Sequence, residues 1–235
     1  MIFSKTHILL LSAAALAAIV FLSPNAVAEK AVPIPPPSAE VLRGVATSSQ
    51  PTARAVFAGG CFWGIQAVFQ HTRGVLSAVS GYAGGEQKDA DYEKVSSGST
   101  GHAESVEVVF DPKQLSYAQL LQIYFSIAHD PTQLDRQYPD VGPQYRSAVF
   151  YRDAGEQQLA QRYIAQLDAA KVFPSKIVTK VVPLKGFYPA EKYHQNYATL
   201  HPESGYIAQF DLPKIDNLKL LMPAVYREQP VLVKP

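Results

Sequence analysis

The segment RAVFAGGCFWGIQAVFQH, residues 54–71, decides the fold because a strand pattern passes directly into a helix pattern within it. Its opening residues, RAVFA, form a short apolar run that predicts a β-strand ended by Gly59 and Gly60. From Cys61 to His71 the apolar residues recur at helical spacing, which predicts an α-helix. The only cysteine of the sequence therefore stands at a strand-to-helix turn.

The same two patterns alternate along the rest of the chain. They predict strands over residues 75–82, 104–110, 145–151 and 177–182, and helices over residues 116–128, 153–171 and 190–200. Ser116 with Gln119 predicts a capping box at one helix start, and Asp153 with Glu156 caps another. Because the first six elements run β-α-β-β-α-β, we predict an α+β two-layer sandwich on a ferredoxin-like core with C-terminal additions.

The N-terminal residues have the layout of a secretory signal peptide. Lys5 and His7 give a short basic start, residues 8–22 are almost unbroken apolar sequence, and small residues lead up to Ala28. The apolar run is shorter than a bilayer-spanning helix requires, although an uncleaved anchor is the alternative. We therefore expect cleavage after Ala28, no stable membrane insertion afterwards, and a periplasmic or secreted protein.

The predicted mature chain divides into a linker and one domain. Residues 29–51 are proline-rich and show no periodic apolar face, which predicts an extended linker, and residues 52–235 are long enough for one domain. Without residues 1–28 the chain has 20 Lys and Arg against 20 Asp and Glu. This balance gives no reason to expect nucleic acid or a charged membrane surface as a partner, and we expect a monomer.

Cys61 is the first candidate for chemistry. A lone cysteine in an exported protein forms no internal disulfide, so it is either a reactive thiol or a buried apolar residue. At a helix start, unpaired N–H groups and the helix dipole favour the thiolate. Gly60 before it leaves room for a substrate, and Phe62 and Trp63 after it predict a pocket for a methyl-thioether group.

Glu104 is the second candidate. In its predicted strand, the two-residue period places it on the same face as the apolar residues Val106, Val108 and Phe110. Desolvation on such a face raises the pKa of a carboxyl and keeps it protonated, as a general acid must be. The alternative is that the strand end frays and leaves Glu104 in water.

Three other functions would use some of the same residues. His102 and Glu104 spell half of the zinc deaminase signature, but the downstream cysteines are missing and the remaining histidines lack ligand spacing, so we predict no metal. A cysteine hydrolase would pair Cys61 with a base such as His194. A non-catalytic binder of methionine segments would use the same pocket without the chemistry.

Seven short blocks, in order along residues 53–215, resemble the A-type methionine sulfoxide reductases, the peptide-methionine (S)-S-oxide reductases. The first is GCFWG, residues 60–64. The other blocks are GYAGG (81–85), YEKV (92–95), GSTGHAE (98–104), HDPT (129–132), DVGPQYRS (140–147) and EKYHQ (191–195).

The resemblance implies roles for individual residues. Cys61 would attack the sulfoxide sulfur and become a sulfenic acid, while Glu104 would protonate the oxygen. Tyr92 and Tyr145 match tyrosines that hydrogen-bond this oxygen, Asp140 matches an acidic residue of the site, and the two aromatic residues after the cysteine match the methyl pocket. The substrate would be the S epimer of methionine sulfoxide, free or in oxidised proteins under repair, with no bound metal or organic cofactor.

The sequence departs from the family at the resolving cysteines. Many members carry these in a C-terminal tail, whereas residues 206–235 contain none. The sulfenic acid on Cys61 would then need an external thiol, either a thioredoxin-like protein or a small thiol. Pro139 and Pro143 also flank Asp140, where we expect a stiffened loop.

Overall fold

The computed structural model describes residues 30–44 and 50–234. The predicted signal peptide and its cleavage site lie outside these residues. Among the residues that are described, no helix combines the length and the apolar character needed to cross a membrane.

The centre of the fold is a mixed β-sheet. Its strands are β1 (Ala53–Ala58), β2 (Val75–Ala83), β3 (Ala103–Phe110), β6 (Ala148–Tyr151), β7 (Lys180–Pro183) and β8 (Phe187–Pro189), in the order β7-β6-β1-β3-β2-β8. All neighbours pair antiparallel except β6 and β7, which pair parallel. A separate small hairpin joins β4 (Arg136–Gln137) to β5 (Asp140–Val141). The strand β1, which leads into Cys61, therefore lies inside the sheet.

The helices follow the capping signals of the sequence. They are α1 (Phe62–Gln70), α2 (Tyr92–Ser96), α3 (Tyr117–Ile123), α4 (Ala154–Ala169), α5 (Tyr197–Leu200) and α6 (Leu212–Leu221). Ser116 and Gln119 form the predicted capping box, and the Asp153 side chain accepts a hydrogen bond from the N–H of Glu156. Wider, π-helical turns extend α3 over residues 124–128 and precede α6 over residues 207–211.

The sheet buries both of its faces. In β1, Phe57 belongs to the main core, where its ring stacks 5.4 Å from Phe69 of α1 and 4.9 Å from Tyr124. Val56 and Ala58, on the opposite face, join a smaller cluster. The predicted α+β class is confirmed, whereas the ferredoxin-like description of the core stays a prediction because the sheet carries further strands at both edges.

Three predicted elements differ from the structure, one of them being the strand predicted over residues 177–182, which spans Lys180–Pro183. The helix predicted over residues 190–200 is wrong: Lys192–His194 is a 3-10 turn and α5 is a single later turn. Asn196 between them has φ +59°, and a left-handed residue interrupts the helical hydrogen-bond ladder. The strand predicted from residue 145 begins at Ala148, because Pro143 opens a 3-10 turn instead.

Residues 30–44 lie against the domain. Ile34 and Val41 are buried in the main core, although no apolar period marks them in the sequence. The Tyr163 hydroxyl of α4 donates a 2.7 Å hydrogen bond to the carbonyl of Pro35. This part of the predicted linker is therefore packed along α4, while the domain boundary at residue 52 stays a prediction.

Candidate active site

Cys61 lies where β1 ends and α1 begins, as the sequence predicted. It occupies the N-cap position of α1 and is partly exposed. Gly60 before it has φ +101°, which other residues rarely adopt, and a Cβ there would lie 2.7 Å from the Cβ of Gln137. Glycine is thus required by the turn and by the packing of Gln137. The predicted contact of Gly60 with a substrate stays a prediction.

The protonation state of Cys61 differs from the sequence expectation. Burial raises the pKa of the Cys61 thiol well above its usual value, and the carboxyls of Glu104, Asp211 and Asp140 raise it further. The N–H of Trp63 donates a hydrogen bond to the sulfur, which lowers the pKa of the thiol but by less than burial and the carboxyls raise it. Desolvation and three carboxyls therefore oppose the predicted thiolate, which the helix start favours.

The Glu104 carboxyl lies against the first residue of α1. It is 2% exposed, pairs with Tyr82 across β2 and β3, and accepts a 3.0 Å hydrogen bond from the N–H of Phe62. Burial raises its pKa to about 8, with Asp140 and Asp211 adding to the effect and the Phe62 N–H opposing it. At pH 7 such a group is about nine-tenths protonated. The predicted burial and raised pKa are confirmed, and its role as an acid stays a prediction.

Aromatic side chains surround the start of α1. The ring of His194 lies 5.1 Å from that of Phe62 and 4.5 Å from that of Tyr92. The Trp63 indole stacks 3.9 Å from Tyr197, and its N–H donates a 3.3 Å hydrogen bond to His194 Nδ1. Burial lowers the pKa of His194, so it is a neutral acceptor for Trp63. His194 and Tyr197 therefore pack with Phe62 and Trp63 at the site. No periodic pattern in the sequence predicts these contacts.

The two predicted tyrosines reach the site from separate elements, Tyr92 from the start of α2 and Tyr145 from a 3-10 turn. Glu191 fixes the first: its Oε1 accepts the N–H of Tyr92 at 2.9 Å, and its Oε2 accepts the hydroxyl of Tyr82 at 2.9 Å. Tyr145 ends the 3-10 turn before β6. Burial, followed by the charge of Glu104, raises the pKa of both Tyr92 and Tyr145. Both phenols therefore remain neutral hydrogen-bond donors.

Asp140 is held by a residue that sequence reasoning missed. The Tyr206 hydroxyl donates a short hydrogen bond to Asp140 Oδ2, and the Tyr206 and Trp63 rings pack edge to face with their centroids 6.1 Å apart. Burial raises the pKa of Asp140, while the bond from Tyr206 and the charge of Lys214 oppose this. The predicted acidic residue is thus tied to the pocket by the C-terminal part of the chain.

A buried ion pair lies behind the cysteine. Lys214 Nζ is 3.6 Å from Asp211 Oδ1, and both side chains are buried. Burial raises the pKa of Asp211 to about 6, and Lys214 opposes the effect. A Cβ on Gly64 would collide with the Asp211 carboxylate. This contact explains why a glycine stands at position 64. The Asp211–Lys214 pair lies too far along the sequence from residues 60–64 for a periodic pattern to predict the contact.

A family model described as peptide methionine sulfoxide reductase matches residues 53–221. The chain belongs to the peptide methionine sulfoxide reductase family. Peptide methionine sulfoxide reductase MsrA 2 of Mesorhizobium japonicum is 59% identical over 179 residues, which cover 76% of this chain and 92% of the relative. Its namesake in Synechocystis is 48% identical over 186 residues, covering 79% of this chain and 86% of the relative.

Solved structures of peptide methionine sulfoxide reductases share this fold. Methionine sulfoxide reductase A of Corynebacterium diphtheriae superposes with a TM-score of 0.58 at 33% identity and covers 74% of this chain and 85% of its own. Reduced Mxr1 of Saccharomyces cerevisiae superposes with a TM-score of 0.62 at 29% identity and covers 69% of this chain and 92% of its own. The α+β arrangement around the candidate site is therefore that of the family.

Membership in the peptide methionine sulfoxide reductase family establishes the general activity. The protein is an oxidoreductase that reduces methionine sulfoxide and serves protein repair. The cysteine hydrolase and the non-catalytic binder find no support among these relatives. With one cysteine in its sequence, this chain is a single-cysteine variant of the enzyme.

Proposed function

We propose that the enzyme reduces methionine (S)-sulfoxide by transferring its oxygen to Cys61 while Glu104 supplies the proton. The observation that carries this proposal is the state of Glu104. Its carboxyl is almost fully buried, it is bonded at 3.0 Å to the N–H of the residue after Cys61, and its pKa is about 8. A neutral acid therefore stands beside the nucleophile at physiological pH.

The proposed step starts with both groups protonated. The Cys61 sulfur attacks the sulfoxide sulfur as Glu104 gives its proton to the oxygen, and the thiol proton then passes to the Glu104 carboxylate. The attack forms a bond between the two sulfur atoms. This bond and the sulfoxide S–O bond then break as the protonated oxygen passes, as a hydroxyl group, to the Cys61 sulfur and methionine is released. The sulfoxide gains two electrons and becomes methionine. Cys61 loses two electrons and becomes a sulfenic acid, and the protonated Glu104 is regenerated.

The surrounding side chains position the substrate. Phe62 and Trp63 provide an apolar surface suited to the methyl group next to the sulfur. Tyr92 and Tyr145 are neutral donors for the sulfoxide oxygen, on which negative charge grows as the bond to sulfur breaks. Asp140, held by Tyr206, would orient the polar end of the site.

An external thiol completes the cycle. Because the sequence contains no second cysteine, the sulfenic acid on Cys61 has no internal partner. One thiol would condense with it to a mixed disulfide and release water, and a second would exchange to restore Cys61. We propose a thioredoxin-like protein or a small thiol as this reductant.

We also propose that the reductase acts outside the cytoplasm. The sequence pattern of residues 1–28 supports export, with cleavage after Ala28. N-terminal mass spectrometry of the protein recovered from a periplasmic fraction would test this. A first residue of Glu29 is expected, and an intact N-terminus in the cytoplasmic fraction would contradict it.

Epimer selectivity tests the proposed reaction. With dithiothreitol as reductant, the protein is expected to consume N-acetylmethionine (S)-sulfoxide and leave the R epimer untouched. The Cys61→Ser variant is the control and is expected to consume neither. Equal consumption of both epimers, or activity in Cys61→Ser, would overturn the proposal.

A further inference from the structure

A carboxyl from the C-terminal part of the chain lies against the helix that begins at Cys61. Asp211 is the last residue of the π-helical turn Ile207–Asp211, and its side chain is fully buried. Tyr206, which precedes this turn, bonds to Asp140 of the candidate site. The two ends of the turn therefore face the site, one through Asp140 and the other through the contact of Asp211 with α1.

Asp211 fills the place of a side chain that α1 lacks. Cys61 is the N-cap of this helix, and Gly64 is the third residue after it, a position where helices often carry an acid that reaches back to the N-cap. The structure describes all of α1, and no residue of its first turn is acidic. A Cβ on Gly64 would lie 2.8 Å from Asp211 Cγ and 3.1 Å from Lys214 Nζ. The carboxyl of a distant residue thus stands where the first-turn acid of the helix would be.

This position adjoins the sulfur of Cys61. Side chains three residues apart on a helix are neighbours, with their Cβ atoms roughly 5–6 Å apart. The space beside Gly64 and the N-cap sulfur are therefore close, and the charge of Asp211 acts on the thiol. The sulfur also accepts the N–H of Trp63, so both groups face the positive end of the same helix. A negative charge on Asp211 makes a negative charge on the sulfur less favourable.

The charge of Asp211 is only weakly compensated. Within the described part of the chain, neither of its oxygens accepts a hydrogen bond of normal length, and Lys214 Nζ lies 3.6 Å from Oδ1. Of the lysines and arginines that the structure describes, Lys214 is the only buried one. It opposes the effect of burial on Asp211, whose pKa is about 6, so that the carboxyl is ionised at neutral pH.

Other titratable groups face these side chains as well. Those that face Cys61 are Glu104, Asp140, Tyr92, Tyr145 and Tyr206. Those that face the Asp211–Lys214 pair are Asp140, Tyr206 and His129. Burial raises the pKa of the tyrosines and lowers that of His129 to about 3, so these groups are neutral near pH 7. Asp140 accepts the hydroxyl of Tyr206, whereas Asp211 has no such donor, which makes Asp211 the stronger influence of the two aspartates.

We propose that Asp211 is a positioning residue of the reductase, whose charge beside the first turn of α1 holds back the ionisation of Cys61, with Lys214 as its counter-ion. This inference rests on the proposed function, in which Cys61 is the nucleophile. The thiolate is also the form that reacts with alkylating agents. The assignment can therefore be measured without a sulfoxide.

The test is the pH dependence of Cys61 alkylation by iodoacetamide, followed by mass spectrometry. Asp211→Asn keeps the shape of the side chain and removes its charge. The midpoint of the profile should fall by about one pH unit, so the rate at neutral pH should rise about tenfold. Glu104, whose pKa is about 8, titrates in every variant, so the difference between two profiles reports Asp211. Asp216→Asn is the matched control, because Asp216 is exposed on the same helix, and its profile should match the wild type.

Two further measurements separate charge from packing. Trp63 is the only tryptophan of the sequence and lies beside Cys61, so an unchanged emission maximum shows that the site keeps its packing. Asp211→Asn/Lys214→Met leaves no unpaired buried charge and serves as the second variant if the single variant does not fold. Its midpoint should fall as well, but by less, because the lysine charge is lost too.

The results that would overturn the inference differ from those that concern the reaction. An alkylation rate at neutral pH within about twofold of the wild type, in a folded variant, would overturn it. A higher rate together with a shifted Trp63 emission would also overturn it, because a loosened site exposes the thiol without any effect of charge. A wild type that fails to reduce N-acetylmethionine (S)-sulfoxide would overturn the proposed function and leave the alkylation profiles unaffected.

Discussion

Replacing Glu104 by glutamine removes the proposed proton donor and little else. Glutamine has nearly the same shape, and its carbonyl can still accept the hydrogen bond from Phe62 that the carboxyl accepts at 3.0 Å. It cannot transfer a proton to the sulfoxide oxygen. General acids of this kind contribute roughly 10²–10⁴-fold, so the rate of Cys61 oxidation should fall by that factor.

The pH dependence of the same rate adds a quantitative signature. With a pKa of about 8 for Glu104, the protonated fraction falls from about nine-tenths at pH 7 to about one-tenth at pH 9. The wild-type rate should therefore drop about tenfold across this interval. Glu104→Gln should lack this decline, since its amide does not titrate.

The assay is a rapid-quench single turnover with excess methionine (S)-sulfoxide and no reductant, measuring methionine formed. Glu107→Gln is the matched control. Glu107 lies on the same strand but on the other face, where it pairs with Arg54 at 3.2 Å, and its loss should leave the rate unchanged. A Glu104→Gln rate within about threefold of the wild type, or a wild-type rate that rises up to pH 9, would refute the assignment.

Further predictions concern stability. Burial raises the pKa of Glu104 from 4.5 to about 8, so the folded state holds a proton that the unfolded state releases, and stability is lost as pH rises through that window. Because the amide does not titrate, Glu104→Gln should raise the unfolding free energy at pH 7 above that of the wild type by up to about 3 kcal/mol. Urea titrations in which the variant exceeds the wild type by no more at pH 7 than at pH 5 would contradict this. Gly64→Ala should lower the unfolding free energy by about 1–3 kcal/mol through its collision with Asp211, and the same substitution should cost less when Gly64→Ala/Asp211→Ala is compared with Asp211→Ala alone in the same titrations. Removing residues 30–44 exposes the sites of Ile34 and Val41 and should cost about 3 kcal/mol, whereas an unchanged denaturation midpoint would show that the segment is not docked.

Local rules predicted much of the structure. The alternation in β3 placed Glu104 with Val106 and Val108, and the structure buries all three. The capping residues Ser116 and Asp153 fixed two helix starts, because caps act through neighbours within one turn. Such features depend on residues close in sequence and are readable from it.

Contacts between distant segments were beyond these rules. The bond between Asp140 and Tyr206 joins residues 66 positions apart, and its geometry exists only in the folded chain. The groups that raise the pKa of Cys61 could not be predicted for the same reason. The helix start is visible in the sequence, but the burial of the thiol and its approach to Asp211 are tertiary facts.

The central claim is that Cys61 itself receives the sulfoxide oxygen. Mature protein without reductant should be incubated with methionine (S)-sulfoxide, and the methionine released should be counted while the mass of the Cys61 peptide is measured after trapping of sulfenic acid. The account predicts one methionine per protein molecule and one added oxygen on Cys61. Methionine formed while Cys61 stays a free thiol, or no methionine at all, would contradict it.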